Sequence, residues 1–242
     1  KLFIDKLSMF EADFFIVIAY KLLPPEIFTL PKFGTINLHA SLLPHYRGAA
    51  PIQRAILNND SETGISTFII NEKIDTGSII LQEKILINNK NYGDLHHDLS
   101  VRGAPLVINS INHIINKKPL IIQKKQSTYA HKINKSETQI DWRMEADYIL
   151  NIIRAFSPSP GAYTHFEGKR VRILNALRAV IPLENLKAGD VFIHNKCIYV
   201  GTKNSVIQVK ELQLEGKKIM NDSSFINGYL RSSEKTFKFE KR

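Results

Sequence analysis

The chain reads as an α/β domain on a partial, Rossmann-like, largely parallel sheet, followed by a small β-barrel of the oligonucleotide-binding kind. Three observations predict this. Residues 13–20, D-F-F-I-V-I-A-Y, are a continuous apolar run, the pattern of a strand covered on both faces. Strand-like and helix-like stretches then alternate through residue 115, the order of an α/β sheet. Beyond Gly161 the pattern changes to short strands separated by turn residues such as E-G-K and N-K, as in a small barrel.

Taken in order, Leu2–Glu11 has helical spacing of Leu2, Phe3, Leu7 and Phe10. Pro24-Pro25 ends the first strand, and E-I-F-T-L follows as a short helix. Thr35–Ala40 is the next strand, and Ala49–Leu57 a helix that tolerates Pro51 in its first turn. Gly64–Ile70 and Ile79–Ile87 are strands on either side of the turn Asp75–Gly77, and Tyr92–Ile115 is a long helix. Pro119–Ser136 is polar and irregular, which reads as a surface linker. Ile140–Phe156 is a periodic helix ending at S-P-S-P-G. Strands follow at Arg170–Leu177, Asp190–Ile193, Cys197–Val200 and Val206–Leu214, then a short helix at Phe225–Leu230. The expected domains are 1–118, a linker and connecting helix over 119–160, and the barrel over 161–242.

Hydrophobic residues make up 43% and charged residues 23%, an ordinary globular balance. The single cysteine, Cys197, cannot form an internal disulfide and offers no zinc spacing, which fits a reducing compartment. No apolar run reaches the roughly 18 residues of a membrane span. The opening K-L-F-I-D-K lacks the long apolar core and small-residue cleavage site of a signal peptide. It also lacks an initiating Met, so Lys1 need not be the natural start. Of the net charge of +10, residues 163–242 carry 15 Lys/Arg against 8 Asp/Glu, or +7. A basic C-terminal segment suits a polyanion such as nucleic acid, or is a solubilising surface; composition leaves both open.

Chemistry concentrates in Ile36-Asn37-Leu38-His39-Ala40-Ser41. The two-residue period of a strand puts Ile36, Leu38 and Ala40 on one face and Asn37, His39 and Ser41 on the other. Three polar groups thus share a face at the C-terminal end of a strand, where open α/β sheets hold ligands. A lone histidine there is either a satisfied core residue or a functional one. Asp75-Thr76-Gly77 adds an acid in a tight turn, though Asp and Gly are ordinary turn residues. No GxGxxG, Walker lysine or H-E-x-x-H motif occurs. His96-His97 read as helix surface.

These residues carry a resemblance. N-L-H at 37–39, S-L-L-P-x-x-R-G-x-x-P from Ser41 to Pro51, E-T-G at 62–64 and D-T-G at 75–77 resemble the 10-formyltetrahydrofolate-dependent formyltransferases. The string H-A-S-L-L-P-H-Y-R-G-A-A-P-I-Q-R-A-I is closest to the branch that formylates methionyl-tRNA. Y-A-x-K-I at 129–133, I-R-A-F-S-P-S-P-G-A at 153–162, and G-K-K-I-M with F-I-N-G near the end follow in order. The resemblance covers nearly the whole chain. It departs in S-P-S-P, where the family usually has an aromatic between the prolines, and in an opening strand–helix–strand portion that is missing before Leu2. A fragment or truncated relative is therefore expected.

The resemblance implies a catalytic set of Asn37, His39 and Asp75. Asn37 and His39 would donate to the oxyanion formed as an amine attacks the formyl carbon, with Asp75 either orienting His39 or taking the amine's proton. It implies folate contacts at Ser41, Leu42, Leu43, Pro44, Tyr20 and Leu22, with Arg47 as a structural anchor or a ligand contact. It implies 10-formyltetrahydrofolate as co-substrate without a metal, and methionyl initiator tRNA as partner. Lys169, Arg170 and Arg172 are then candidate tRNA contacts. A monomer without membrane association is expected, in a bacterial cytoplasm or an organellar matrix. The alternatives are a formyltransferase acting on an amino sugar or a ribonucleotide amine, or an inactive RNA-binding fragment.

Overall fold

A computed structural model describes every residue except 1, 20, 21, 125, 180–185, 231–235 and 241–242. Its contacts divide into two compact units, residues 1–55, 60–88 and 94–132, and residues 56–59, 89–93 and 133–242.

The first unit runs α1 (Leu2–Ser8), β1 (Phe15–Ile18), α2 (Pro25–Phe28), β2 (Thr35–His39), β3 (Arg47–Gly48), α3 (Pro51–Leu57), β4 (Glu62–Ile69), β5 (Ile79–Leu86), α4 (Tyr92–Ile115) and β6 (Tyr129–Ala130), the ends of α3 and α4 passing into the second unit. Its main sheet has the order β1-β2-β4-β5. Only β1 and β2 are parallel; β2–β4 and β4–β5 are antiparallel, so the α/β sheet is mixed where the sequence suggests it is largely parallel. For β4–β5 the reason is chain length: residues 70–78 are too few for the crossover that parallel pairing needs, and the two strands close as a hairpin. β1 is likewise not covered on both faces. Among the described residues it pairs with β2 alone, and Ile16 and Ile18 are 40% and 59% exposed. Helix α4 buries Leu95, Leu99, Gly103, Leu106, Val107 and Ser110, a stripe at three- and four-residue spacing. A Cβ at Gly103 would lie 2.5 Å from a methyl of Leu38, so the apolar face of β2 packs directly on this helix.

The stretch read as a surface linker is bound to the unit. Ile121 bridges Ile79, and β6 pairs in parallel with β3.

The second unit contains a 3-10 turn (Lys135–Thr138), α5 (Ala146–Phe156), β7 (Ala162–Phe166), β8 (Lys169–Arg178), β9 (Asp190–His194), β10 (Cys197–Gly201), β11 (Val206–Leu214), β12 (Met220–Asn221), α6 (Asp222–Tyr229) and β13 (Thr236–Lys238). The strand order is β13-β9-β10-β11-β8-β7, with β12 on β11. His165 of β7 and Glu240 exchange two backbone hydrogen bonds, of 3.0 and 2.9 Å, which close the sheet into a barrel. Its core holds Ile149, Ile153, Phe156, Val171, Ile198 and Phe225, each buried to within 1%. The helix expected over 140–156 begins only at Ala146. Ile140 instead donates its N–H to Tyr163, and the Asp141 carboxylate accepts from the Arg143 N–H, a turn that competes with helix. Trp142, the only tryptophan, donates its indole N–H to Thr164 at 3.0 Å and stacks on Phe239.

Candidate active site

Strand β2 delivers Asn37 and His39 to one face, opposite Leu38, as its period requires. His39 is 7% exposed, and its Nε2 lies 2.8 Å from the carbonyl oxygen of Tyr46. A carbonyl only accepts, so Nε2 carries a proton and donates. The other ring nitrogen, Nδ1, lies 3.7 Å from Oδ2 of Asp75. That is too long for a hydrogen bond, and the two make an ion pair only when the imidazole is protonated. Asn37 is half-buried, and its amide makes no hydrogen bond among the described residues.

Two residues around His39 occupy left-handed backbone without being glycine, Tyr46 (φ 58°) and Asp75 (φ 52°). Such conformations cost about 1–3 kcal/mol each and persist only where neighbours hold them. Tyr46 is held at both ends. Its N–H donates to Thr128 Oγ1 at 2.9 Å, and its hydroxyl donates to Asp60 Oδ2 at 2.5 Å. Asp75 Oδ2 accepts from the Gly48 N–H at 2.7 Å. Gly48 itself is required, since it sits at φ 112° with its missing Cβ 2.9 Å from the carbonyl oxygen of Ala130.

The Ser41–Pro44 loop leaves β2 and is fixed from β4 and β5. Ser41 Oγ donates to His45 O at 2.6 Å, Ser66 Oγ donates to Ser41 O at 2.6 Å, and Leu43 N–H donates to Ser66 Oγ at 3.0 Å. Gln82 Nε2 donates to both Leu43 O and Ser66 Oγ, at 3.0 and 2.8 Å. Leu43 is buried beside Phe68 and Ile79, and Leu42 lies against Gly64, where a Cβ would come within 2.5 Å. Of the other two expected folate contacts, Tyr20 lies outside the described residues and Leu22 is 70% exposed. Arg47 is 7% exposed, with Nε and Nη2 both donating to Gln123, an anchor of the loop.

The basic candidates fall on β8 of the second unit. Lys169 is exposed, and the guanidinium of Arg170 lies 3.8 Å above the ring of Tyr163. Arg172 turns inward, donating to Gln213 at 2.6 Å and to the carbonyl of Pro158. Burial, and secondarily Arg170, holds its guanidinium below the ordinary arginine value. Gly161 (φ 85°) makes room for it, since a Cβ there would lie 2.3 Å from Arg172 Nε.

Comparison with known proteins follows this division. The formyl transferase family matches residues 1–102, and the formyl transferase C-terminal domain matches residues 132–230. A methionyl-tRNA formyltransferase of Porphyromonas gingivalis is 36% identical over 96% of this chain and 76% of its own length. The chain belongs to the methionyl-tRNA formyltransferase family. Among solved structures, the methionyl-tRNA formyltransferase of Clostridium thermocellum shares the fold at a TM-score of 0.60 and 16% identity, over 87% of this chain and 81% of that one. HypX of Aquifex aeolicus, solved with tetrahydrofolic acid, has a TM-score of 0.73 and 16% identity over 99% of this chain. This chain spans 44% of that protein's length.

The residues that sequence reasoning missed, Ser66, Gln82, Gln123 and Thr128, hold the formyltransferase loops without standing in its motifs. For Ser66 there was a signal: it is a polar residue inside the apolar strand run G-I-S-T-F-I-I.

Proposed function

We propose that the chain transfers the formyl group of 10-formyltetrahydrofolate to the α-amine of methionyl-tRNA, as the initiator-tRNA step of translation initiation in a bacterial cytoplasm or organellar matrix. The observation that carries this reading is the convergence of His39 Nδ1 and Asp75 Oδ2, 3.7 Å apart, at the end of the strand that also presents Asn37.

The neutral amine attacks the formyl carbon, and the carbonyl oxygen becomes an oxyanion. The Asn37 amide donates one hydrogen bond to it. His39 donates the second through Nδ1, because Nε2 is committed to Tyr46 O. Donation from both nitrogens requires the imidazolium, and Asp75 supplies the balancing charge. When the intermediate collapses, the C–N10 bond breaks, N10 takes a proton, and the amine's extra proton leaves to Asp75 or water.

The donor's folate part is assigned to the loop at Ser41, Leu42, Leu43 and Pro44, with Tyr20 and Leu22. Ser41 and Leu43 act by holding the backbone, since their side chains point into the protein. The tRNA is assigned to Lys169 and Arg170, with Arg172 supporting the turn beside them. A monomer and no metal complete the proposal.

Formyl transfer from 10-formyltetrahydrofolate to Met-tRNA tests it, with dTDP-amino sugars and ribonucleotide amines as competing acceptors. Transfer to Met-tRNA is expected. Transfer only to a small amine would replace the acceptor, and no transfer to any would remove the enzymatic reading.

A further inference from the structure

Gln123 lies in the stretch that reads as a linker, yet every hydrogen-bonding position of its amide is used. Oε1 accepts from Arg47 Nε at 3.1 Å and from Nη2 at 2.6 Å. Nε2 donates to the backbone carbonyls of Asp75 at 2.9 Å and Gly77 at 2.7 Å. Two accepted and two donated bonds are the full capacity of a primary amide. Arg47 can only donate and the two carbonyls can only accept, so the amide has one permitted orientation. Glutamate could serve the arginine but not the carbonyls, and lysine the reverse.

The two carbonyls belong to the turn that carries the carboxylate of the site. Asp75 is in left-handed backbone at φ 52°. Gly77 is pressed against β4, with its missing Cβ 1.6 Å from Ile69 O. The side chain of Asp75 is tied separately, its Oδ2 accepting from the Gly48 N–H. We infer that Gln123 is a positioning residue: its amide, oriented by Arg47, holds the Asp75–Gly77 turn so that the carboxylate faces His39 Nδ1. The structural part of this inference stands alone, and its kinetic part rests on the function proposed above.

The test uses Gln123→Glu, which is isosteric and keeps the Arg47 partner but sets an oxygen against both carbonyls. Gln123→Ala is the second variant, should the first fail to fold. Amide hydrogen exchange of Gly48, whose donor bond ends on Asp75, is compared with that of Ala49, whose donor bond ends on Ala130 O at 2.8 Å. Gly48 is expected to lose about tenfold or more of its protection while Ala49 keeps its own. In formyl-transfer kinetics, kcat is expected to fall about 10²-fold, the effect of a misplacement of about 1 Å, with KM for the folate donor within about threefold. On an Asp75→Asn background, Gln123→Glu is expected to add little, since both act through one carboxylate.

Equal loss of protection at Gly48 and Ala49 would make Gln123 a support of the β3–β6 pairing and overturn the inference. Unchanged Gly48 exchange, unchanged kcat, or full additivity with Asp75→Asn would also overturn it. If the unsubstituted chain transfers no formyl group, the proposed function fails while the exchange measurement still decides the role of Gln123.

Discussion

Around His39 the first unit buries polar groups: Ser41 and Ser66 are fully covered, and His39 and Arg47 are each 7% exposed. The barrel of the second unit buries a single large apolar cluster, in which Val171, Ile173, Ile198, Val209 and Phe225 are wholly inaccessible. Hydrogen bonds are directional, so the first arrangement specifies where atoms point. Apolar burial is non-directional and specifies mainly that the unit stays folded. Substitutions in the two regions should therefore separate, moving rate in one and stability in the other.

The sharpest test is Asp75→Asn. Asn tolerates left-handed backbone and can still accept from Gly48, so the fold is expected to keep its melting temperature. Turnover is expected to fall about 10²–10⁴-fold in steady-state kinetics, the usual range for a lost acid–base group. A near-normal rate would remove Asp75 from the chemistry. Phe225→Ala is the counterpart in the barrel. Phe225 is fully buried and meets Phe166 at 5.8 Å and Tyr229 at 5.4 Å between ring centroids. Denaturant unfolding should show a loss of about 3–5 kcal/mol. Its kcat per folded molecule at low temperature should be unchanged, and a fall in kcat would break the separation.

Asn37→Ala comes next, with an expected loss of about 10²-fold in kcat, or about 2.7 kcal/mol, for one missing oxyanion donor. Because the Asn37 amide has no hydrogen bond among the described residues, thermal stability should barely move. A large stability loss would mean that Asn37 belongs to the packing. The smallest effect is expected on the barrel surface. Lys169→Glu with Arg170→Glu should weaken Met-tRNA binding about tenfold and lower its salt slope by about 2, one for each lost phosphate contact. An unchanged slope would place the RNA path elsewhere.

What could be read from the sequence follows from the range of each signal. The shared face of Asn37 and His39 was legible because a strand's two-residue period is local, whereas Asp75 became a candidate only through the family resemblance, since D-T-G by itself is an ordinary turn. Strands β8 to β11 were legible from alternation and turn residues. Strand β7 was passed over because Ala162 follows directly on Ser-Pro-Ser-Pro-Gly, which reads as loop. The start of α5 was set too early because Trp142, Ala146 and Ile149 follow at helical spacing, yet the Ile140 N–H serves the Tyr163 carbonyl and Trp142 a buried indole bond. Exposure of β1 depends on which strands flank it, and no local pattern carries that. Gln123 was invisible for a similar reason. Its partner Arg47 is 76 residues away, and an isolated glutamine in a polar stretch has no period to mark it.

The parallel β3–β6 pairing also orders events in time. Tyr46 is fastened to Thr128 across 82 positions and Arg47 to Gln123 across 76. Contacts of such separation close long loops, at a cost in chain entropy that local contacts do not carry. A nascent chain that has reached residue 118 already contains Asn37, His39 and Asp75, but neither Gln123 nor Thr128. Chains arrested at 118 and at 135 are expected to differ in protease sensitivity at Tyr46–Gly48, the longer one being protected. The residues proposed for the chemistry are made early in synthesis, and the partners that fasten Tyr46 and Arg47 beside them come later in the chain.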